Sequence, residues 1–425
     1  MLEDGYGEAV STASAAARDA YVDGVERFLA ASPGVEPAFQ AAADADPDFA
    51  LAQIGLARFR QVMGRGPEIA APLAAARAAV GLTEREASHV AALGLLLEGR
   101  GAEAYPAIRA HLAGHPRDAM VAQTCCGVFG LIGFSGRPGR EAEQLAFTAS
   151  LLPHYGEDPW FLGQHAFAEM EAGRHGPAAD AIEKALAGAP RNANNAHIRS
   201  HLHYETGEAA AGYAYIRDWM AGYDRGGALH THISWHVALW ALEQGDEDAL
   251  WRVVKADVAP GAASGPPLNV LTDAAAILYR AELAGLTPPP TLWREISAYA
   301  SRMFPKPGLA FADMHAALAY AMAGEGEALR RLVRDAAGPV ADLVRETAEG
   351  FGAFAAGRWA EAAAHLTAAM ADHARLGGSR AQRDLLEFAL AAALLRDGKE
   401  AEARRLIALR RPISTPAGAV AGLAA

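Results

Sequence analysis

The chain has 425 residues, 52% of them hydrophobic and 8% aromatic, and carries a formal net charge of −12. That acidic balance, with no block of basic residues, offers no surface to follow a phosphate backbone or an anionic membrane, so neither nucleic acid nor membrane is expected as a partner. Much of the apolar content is alanine and β-branched runs are few, so the expected class is all-α.

The N-terminus, Met1-Leu2-Glu3-Asp4, lacks the basic and apolar segments of a signal peptide. No apolar run approaches the roughly 20 residues that span a bilayer, and the expected location is cytoplasmic. Glycines recur along most of the chain, each after an amphipathic stretch. Gly64, Gly99, Gly136, Gly173, Gly207, Gly245, Gly285, Gly324, Gly357 and Gly398 are separated by 33 to 41 residues. A period of that length is the mark of a helical solenoid. Each glycine is placed to end one helix and let the next fold back against it. The unit "AFAEMEAGRHGPAADAIEKALAGAP" fits the tetratricopeptide pattern best, with Ala166, Ala178 and Ala185 where paired helices touch and Pro190 closing the second helix. The units "AAGRWAEAAAHL" and "LRDGKEAEARRL" repeat it more loosely. The expected architecture is an α-α superhelix of about ten helix pairs, one solenoid over residues 1–412 with a flexible tail over 413–425.

The two cysteines, Cys125 and Cys126, are adjacent in an apolar stretch that reads as helical, which offers neither a disulfide framework nor a CxxC site. Histidine is the least random residue. Nine of the 15 lie between His154 and His236, most of them in "HIRSHLHYE" and "HTHISWH". Both segments precede a repeat glycine and so belong to first helices of their units. Residues four apart share a helix face, which makes His197 with His201, and His232 with His236, two stacked pairs on neighbouring helices. First helices line the concave wall of such arrays. His203 must point elsewhere, towards an interface between helices. For His154, His165, His175 and His203 taken singly, packing is the expected role.

Asp273, in "LTDAAAILYRAELAGL", and His315, in "FADMHAALAYAMAGE", also fall in first helices and complete the candidate catalytic set of His197, His201, His232, His236, Asp273 and His315. Imidazole titrates near neutrality and a carboxylate can fix its tautomer, so this wall could perform acid–base chemistry. The two HxxxH pairs could equally ligate a divalent transition metal through His197, His201, His232 and His236. Trp160, Trp219, Trp235, Trp240 and Trp251 are spaced as core residues, with Trp235 placed to line the site. In "GGSRAQRD", Ser379 is a helix cap, and the exposed amides with Arg380 or Arg383 could hold an anion. No phosphate loop, nucleophile elbow or dinucleotide fingerprint is present.

Taken in order, "STASAAARDAY", "HIRSHLHYETG", "HISWHVALWALEQGD", "LTDAAAILYRAELAG", "FADMHAALAYAMAG" and "GGSRAQRD" make the chain resemble the tetratricopeptide repeat protein 38 family over most of its length. The resemblance implies a tetratricopeptide-like superhelix. It singles out His197, His201, His203, His232, His236, Asp273, His315, Gln382, Arg383 and Asp384, so that His203, Trp235, Gln382, Arg383 and Asp384 form the candidate ligand-binding set. One departure is Glu205, two residues after His203 where the family pattern has an acidic residue immediately following. Two functions are consistent with these residues, beside a metal-storage or sensing module should the two HxxxH pairs converge. One is a histidine-lined pocket for a small molecule, with hydrolysis or isomerisation as its chemistry and Arg383 holding an anionic group. The other is a non-catalytic scaffold that binds a peptide or protein in its concave groove.

Overall fold

The computed structural model describes residues 1–409 and 418–423. Apart from a two-residue antiparallel pair, β1 (Leu2–Glu3) with β2 (Ala9–Val10), the regular structure of these residues is helical. The first helix pairs are α1 (Ala15–Leu29) with α2 (Val35–Ala45), α3 (Ala50–Val62) with α4 (Ala70–Ala78), α5 (Glu84–Leu97) with α6 (Gly101–Gly114), and α7 (Ala119–Gln123) with α8 (Arg140–Tyr155). The middle pairs are α9 (Pro159–Glu171) with α10 (His175–Gly188), α11 (Ala193–Thr206) with α12 (Ala209–Met220), and α13 (His230–Glu243) with α14 (Glu247–Val253). The array ends with α15 (Pro267–Leu283) and α16 (Pro290–Met303), α17 (Ala310–Met322) and α18 (Gly326–Asp335), α19 (Ala341–Ala355) and α20 (Trp359–Met370), and α21 (Arg380–Arg396) and α22 (Glu400–Ala408). The chain is thus a tetratricopeptide-like α-solenoid.

Local chemistry sets the boundaries. Ser14, Thr83, Asp118, Asp158, Asn192, Asp246 and Ser379 each cap a helix N-terminus, accepting from a backbone N–H two or three residues on. Thr83 with Glu86, and Ser379 with Gln382, form complete capping boxes. All ten repeat glycines have φ between 68° and 91°, the left-handed region that turns first helix into second. At the pair α9/α10 the small residues do what the pattern requires, since Ala166, Ala178 and Ala185 are buried where the two helices meet. The unit around Gly136 departs from the rule. Its first helix stops at Gln123, and Cys125 and Cys126 lie in the turns that follow, not in a helix, although both are buried free thiols.

The superhelix winds back onto itself. Ala193 N donates to Ala30 O at 3.0 Å and Asn194 Nδ2 to Leu29 O at 2.6 Å, tying the first pair to the sixth. A Cβ on Gly64 would lie 2.7 Å from Pro267 Cγ, so the second pair closes against the start of α15. Arg140, buried on α8, donates to Ala374 O (2.7 Å), Gly133 O (3.1 Å) and Gly378 O (2.6 Å), joining segments more than 230 residues apart. As a result α21 packs against α15 and α11 as well as its sequence neighbours, and 14 of its 17 residues are buried. Tyr204 Oη donates to Asp384 Oδ2 (2.8 Å), Arg280 Nη2 to Ala381 O (2.5 Å), and Arg380 N to Glu171 Oε2 (3.0 Å). The interior of the superhelix is therefore filled in part by its own last first helix.

Of the segment 413–425, read from sequence as a tail, residues 413–417 and 424–425 lie outside the described residues. Within 418–423, Val420 is buried and Ala421 N donates to Leu283 O at 2.7 Å. α14 runs on through a π-helical turn, Val254–Val258. No helix among the described residues is long and apolar enough to cross a membrane.

Candidate metal centre

α11 and α13 are consecutive first helices; α11 packs against α9 and α13 against α15, and their histidine side chains meet between them. Twelve of the 14 residues of α13 are buried, its three histidines among them. The HxxxH spacing stacks His197 above His201 on one helix and His232 above His236 on the other, and the four rings meet. His197 Nε2 lies 2.8 Å from His201 Nε2 and 3.0 Å from His232 Nε2, while His236 packs edge-on against the other three with centroids 4.6 to 5.1 Å away. One ring nitrogen from each of the four falls within 4.8 Å of all the others. Two imidazole nitrogens on a tetrahedral zinc ion stand about 3.3 Å apart, so the spacing is that of a ligand set.

The hydrogen bonding supports that reading. Asp273, on α15, holds His232 Nδ1 with both carboxylate oxygens, at 3.0 and 2.9 Å. His232 therefore carries its proton on Nδ1 and turns an Nε2 lone pair towards His197. That His197 nitrogen also meets His201 Nε2, so three imidazole nitrogens crowd together. His201 Nδ1 and both nitrogens of His236 are buried with no hydrogen-bond partner among the described residues. Leaving such groups unpaired costs about 1–3 kcal/mol each, and a bound cation would offset that for one nitrogen of each ring. Burial, reinforced by the neighbouring imidazoles, pushes His197 and His236 well below the ordinary histidine range and His201 down to about 3. Rings held neutral are the form that ligates metal. Burial raises the Asp273 carboxyl, with His232 opposing.

A cavity of about 480 Å³ opens beside the cluster and is lined by His197, His201 and His232 but not His236. Its apolar walls include Phe28, Phe59, Phe129, Phe134, Trp160 and Phe167. Polar atoms come from the amides of Gln61, Gln123, Gln164, Asn194, Asn269 and Gln382 and from Arg58. Among the described lining residues there is no carboxylate.

No protein-family model matches the chain. Among solved structures it is similar to human IFIT1, seen as a dimer with m7Gppp-AAAA, at 15% identity over 84% of this chain and 88% of that one, with a TM-score of 0.44. It is also similar to yeast Tom70 (13% identity, 92% of this chain and 82% of that one, TM-score 0.31) and to the TPR domain of P58(IPK) (14%, 92% and 98%, TM-score 0.22).

The remaining sequence candidates divide. Trp235 is fully buried behind the cluster, stacked on His232 at 5.4 Å and edge-on to His236 at 4.8 Å, so it backs the site instead of lining the cavity. Gln382 does line the cavity, positioned by its capping box. His315 stands apart from the four: its Nδ1 donates to Phe311 O at 2.8 Å, its ring packs on Phe311, and burial lowers it to about 4. His203 turns away from the cluster into the interface with α12, its ring 6.0 Å from that of Tyr215, and pairs with Glu208 at 2.8 Å. Arg383 is not free to hold a ligand anion, because Nη2 is paired with Glu141 and Nη1 donates to Gly378 O. Asp384 accepts from Tyr204 and is no part of the cavity lining.

Two groups escaped sequence reasoning. Arg58, on α3, reaches the cavity from some 140 residues upstream of the histidines, a juxtaposition only the closure of the superhelix creates. His89, His111 and Asp118 form a second buried cluster, with His89 Nδ1 at 2.9 Å and His111 Nε2 at 3.2 Å from Asp118 Oδ2. Here Arg85 Nε takes the same oxygen at 2.8 Å and is itself paired with Asp4. Burial would raise the Asp118 carboxyl, but His89 and Arg85 override it and hold it well below its ordinary range. With a guanidinium already neutralising its one carboxylate, this cluster is a structural node and a poor cation site.

Proposed function

We propose that this chain binds one divalent transition metal ion through His197, His201, His232 and His236 and uses it to bind and transform a small molecule in the adjoining cavity. The observation that carries the reading is the convergence of four buried imidazoles, two of them with orphaned nitrogens, around a histidine oriented by a buried carboxylate. An all-nitrogen set of borderline softness suits zinc, copper, nickel or iron better than magnesium or calcium. Three of the four rings border the cavity, so an ion held by them would lie at its wall, and it would meet a ligand there by accepting a fifth donor or releasing one imidazole. A metal so placed polarises a carbonyl or lowers the pKa of a bound water, and the reaction class we assign is hydrolysis or isomerisation. Asp273 is a positioning residue in this scheme, acting through His232. His315, expected from sequence as a catalytic partner, is left out of it.

The alternative of a peptide-binding scaffold is disfavoured by the packing of α21 into the superhelix interior and by the contacts that tie the first two helix pairs to α11 and α15. Membership of the tetratricopeptide repeat protein 38 family is part of the proposal, since the motifs "HIRSHLHYETG", "HISWHVALWALEQGD" and "LTDAAAILYRAELAG" supply the four ligands and Asp273. So is a cytoplasmic location, which suits the free buried thiols of Cys125 and Cys126. The test is elemental analysis of protein purified without an affinity tag and loaded with zinc, beside His201→Ala/His236→Ala. One equivalent in the wild type and almost none in the double variant is expected. Equal metal content in both would sink the proposal.

A further inference from the structure

From Arg58 we infer that the cavity binds a monoanionic carboxylate carried on an apolar body, the carboxylate held by Arg58, whose fork Gln61 and Gln123 orient, and the body enclosed by the aromatic walls. The inference deepens the small-molecule reading and rests on it for the cavity's use, though not on the presence of a metal.

Arg58 is a guanidinium without a counter-ion. It donates from Nη1 to Gln61 Oε1 at 2.6 Å and from Nη2 to Gln123 Oε1 at 3.2 Å, and its Nε has no partner. Among the described residues no carboxylate pairs with it, whereas Arg60 and Arg65 nearby are both paired with Glu36. Buried or half-buried arginines are ordinarily matched by an acid, because an isolated charge away from water is costly. Desolvation with nothing to oppose it pushes this guanidinium down to about 10.

The two glutamine contacts fix the plane of the fork without neutralising it, as a binding site needs and a core does not. Arg58 is the single arginine of the lining, and no lysine joins it, so the charge it offers matches a monoanion and would leave a phosphate ester half compensated. With no carboxylate in the lining, nothing repels an anion on entry. The rest of the wall, with rings such as Phe59 and Trp160, recognises an apolar body by area and shape.

The test uses the full chain without an affinity tag, prepared metal-free by chelation and separately zinc-loaded. Binding of a panel of arylalkanoates and C6–C10 alkanoates is measured by calorimetry, each against its own primary alcohol. At least one carboxylate is expected to bind ten-fold or more tightly than its alcohol in both preparations. Arg58→Gln is expected to remove that preference while leaving alcohol binding unchanged, and Arg58→Lys to keep part of it, which controls for misfolding. Preference lost on chelation but kept in Arg58→Gln would place the anion on the metal and overturn the inference. So would a panel in which no carboxylate is preferred over its alcohol. If the protein takes up no zinc yet keeps an Arg58-dependent preference, the anion site stands and only the metal reading falls.

Discussion

Replacing Asp273 by asparagine separates the metal-centre reading from simple core packing, because the two predict effects of opposite character. Asp273 holds one atom, His232 Nδ1, with both carboxylate oxygens, at 2.9 and 3.0 Å. Asparagine keeps the volume and one acceptor oxygen, so His232 stays oriented, but the negative charge that strengthens Nε2 as a ligand is gone. Loss of such an outer carboxylate typically weakens metal binding 10- to 100-fold, or about 1.4–2.7 kcal/mol at 1.36 kcal/mol per decade. In the metal-free protein the same change removes a buried carboxyl that desolvation already disfavours, so its folding stability should shift by less than about 1 kcal/mol. Zinc affinity is read by competition with a chromophoric chelator, and stability by chemical denaturation of the chelated protein. A dissociation constant within two-fold of wild type would refute the assignment of His232 as a ligand. A loss of affinity matched by an equal loss of apo stability would show that Asp273 serves only the fold.

Chelation of zinc-loaded protein should lower its thermal midpoint, since a ligand at a thousand times its dissociation constant stabilises by about 4 kcal/mol, and His201→Ala/His236→Ala should show no such response to zinc. Glu171, buried against α21, titrates at about 7 when folded against an ordinary 4.5, with desolvation as the main cause. Its folded pKa is raised, so the stability it contributes is present below pH 4.5 and is lost as pH rises through 7, about 3 kcal/mol in all. Denaturation of wild type and Glu171→Gln at pH 5 and pH 8 should show the variant gaining relative stability at the higher pH; parallel behaviour would mean Glu171 is ionised throughout. Arg140→Leu should cost at least about 3 kcal/mol by stranding the carbonyls of Gly133, Ala374 and Gly378, and an unchanged denaturation midpoint would argue against the closure it provides. Gly64→Ala forces a side chain into φ 69° and against Pro267, so it should destabilise by more than about 1 kcal/mol and raise protease sensitivity between the second helix pair and α15.

Much of the site was legible before any coordinates, because helical geometry alone converts HxxxH into a two-imidazole face and a glycine period near 37 puts two such faces on neighbouring helices. His197, His201, His232 and His236 follow from those two facts. Asp273 was placed on the next first helix by the same period, and its hydrogen bond to His232 is the shortest-range consequence of that adjacency. The period could not say which residues of a first helix look at the cluster and which look past it. His315 has the right phase and helix type but lies two pairs beyond α13 and bonds to its own backbone. Arg383 carries the right chemistry for an anion and fails because Glu141, more than 240 residues earlier in the chain, is folded against it.

What the sequence determined by itself is the class of the fold, the rhythm of its helix pairs and the pairing of histidines within each helix, all of which depend on residues fewer than about 40 positions apart. The tertiary structure alone decided that the superhelix closes, that α21 occupies its interior and that Arg58 and the histidines share one cavity. Those outcomes depend on contacts across more than a hundred residues, where small differences in the tilt of each pair accumulate along the solenoid and no local pattern records their sum.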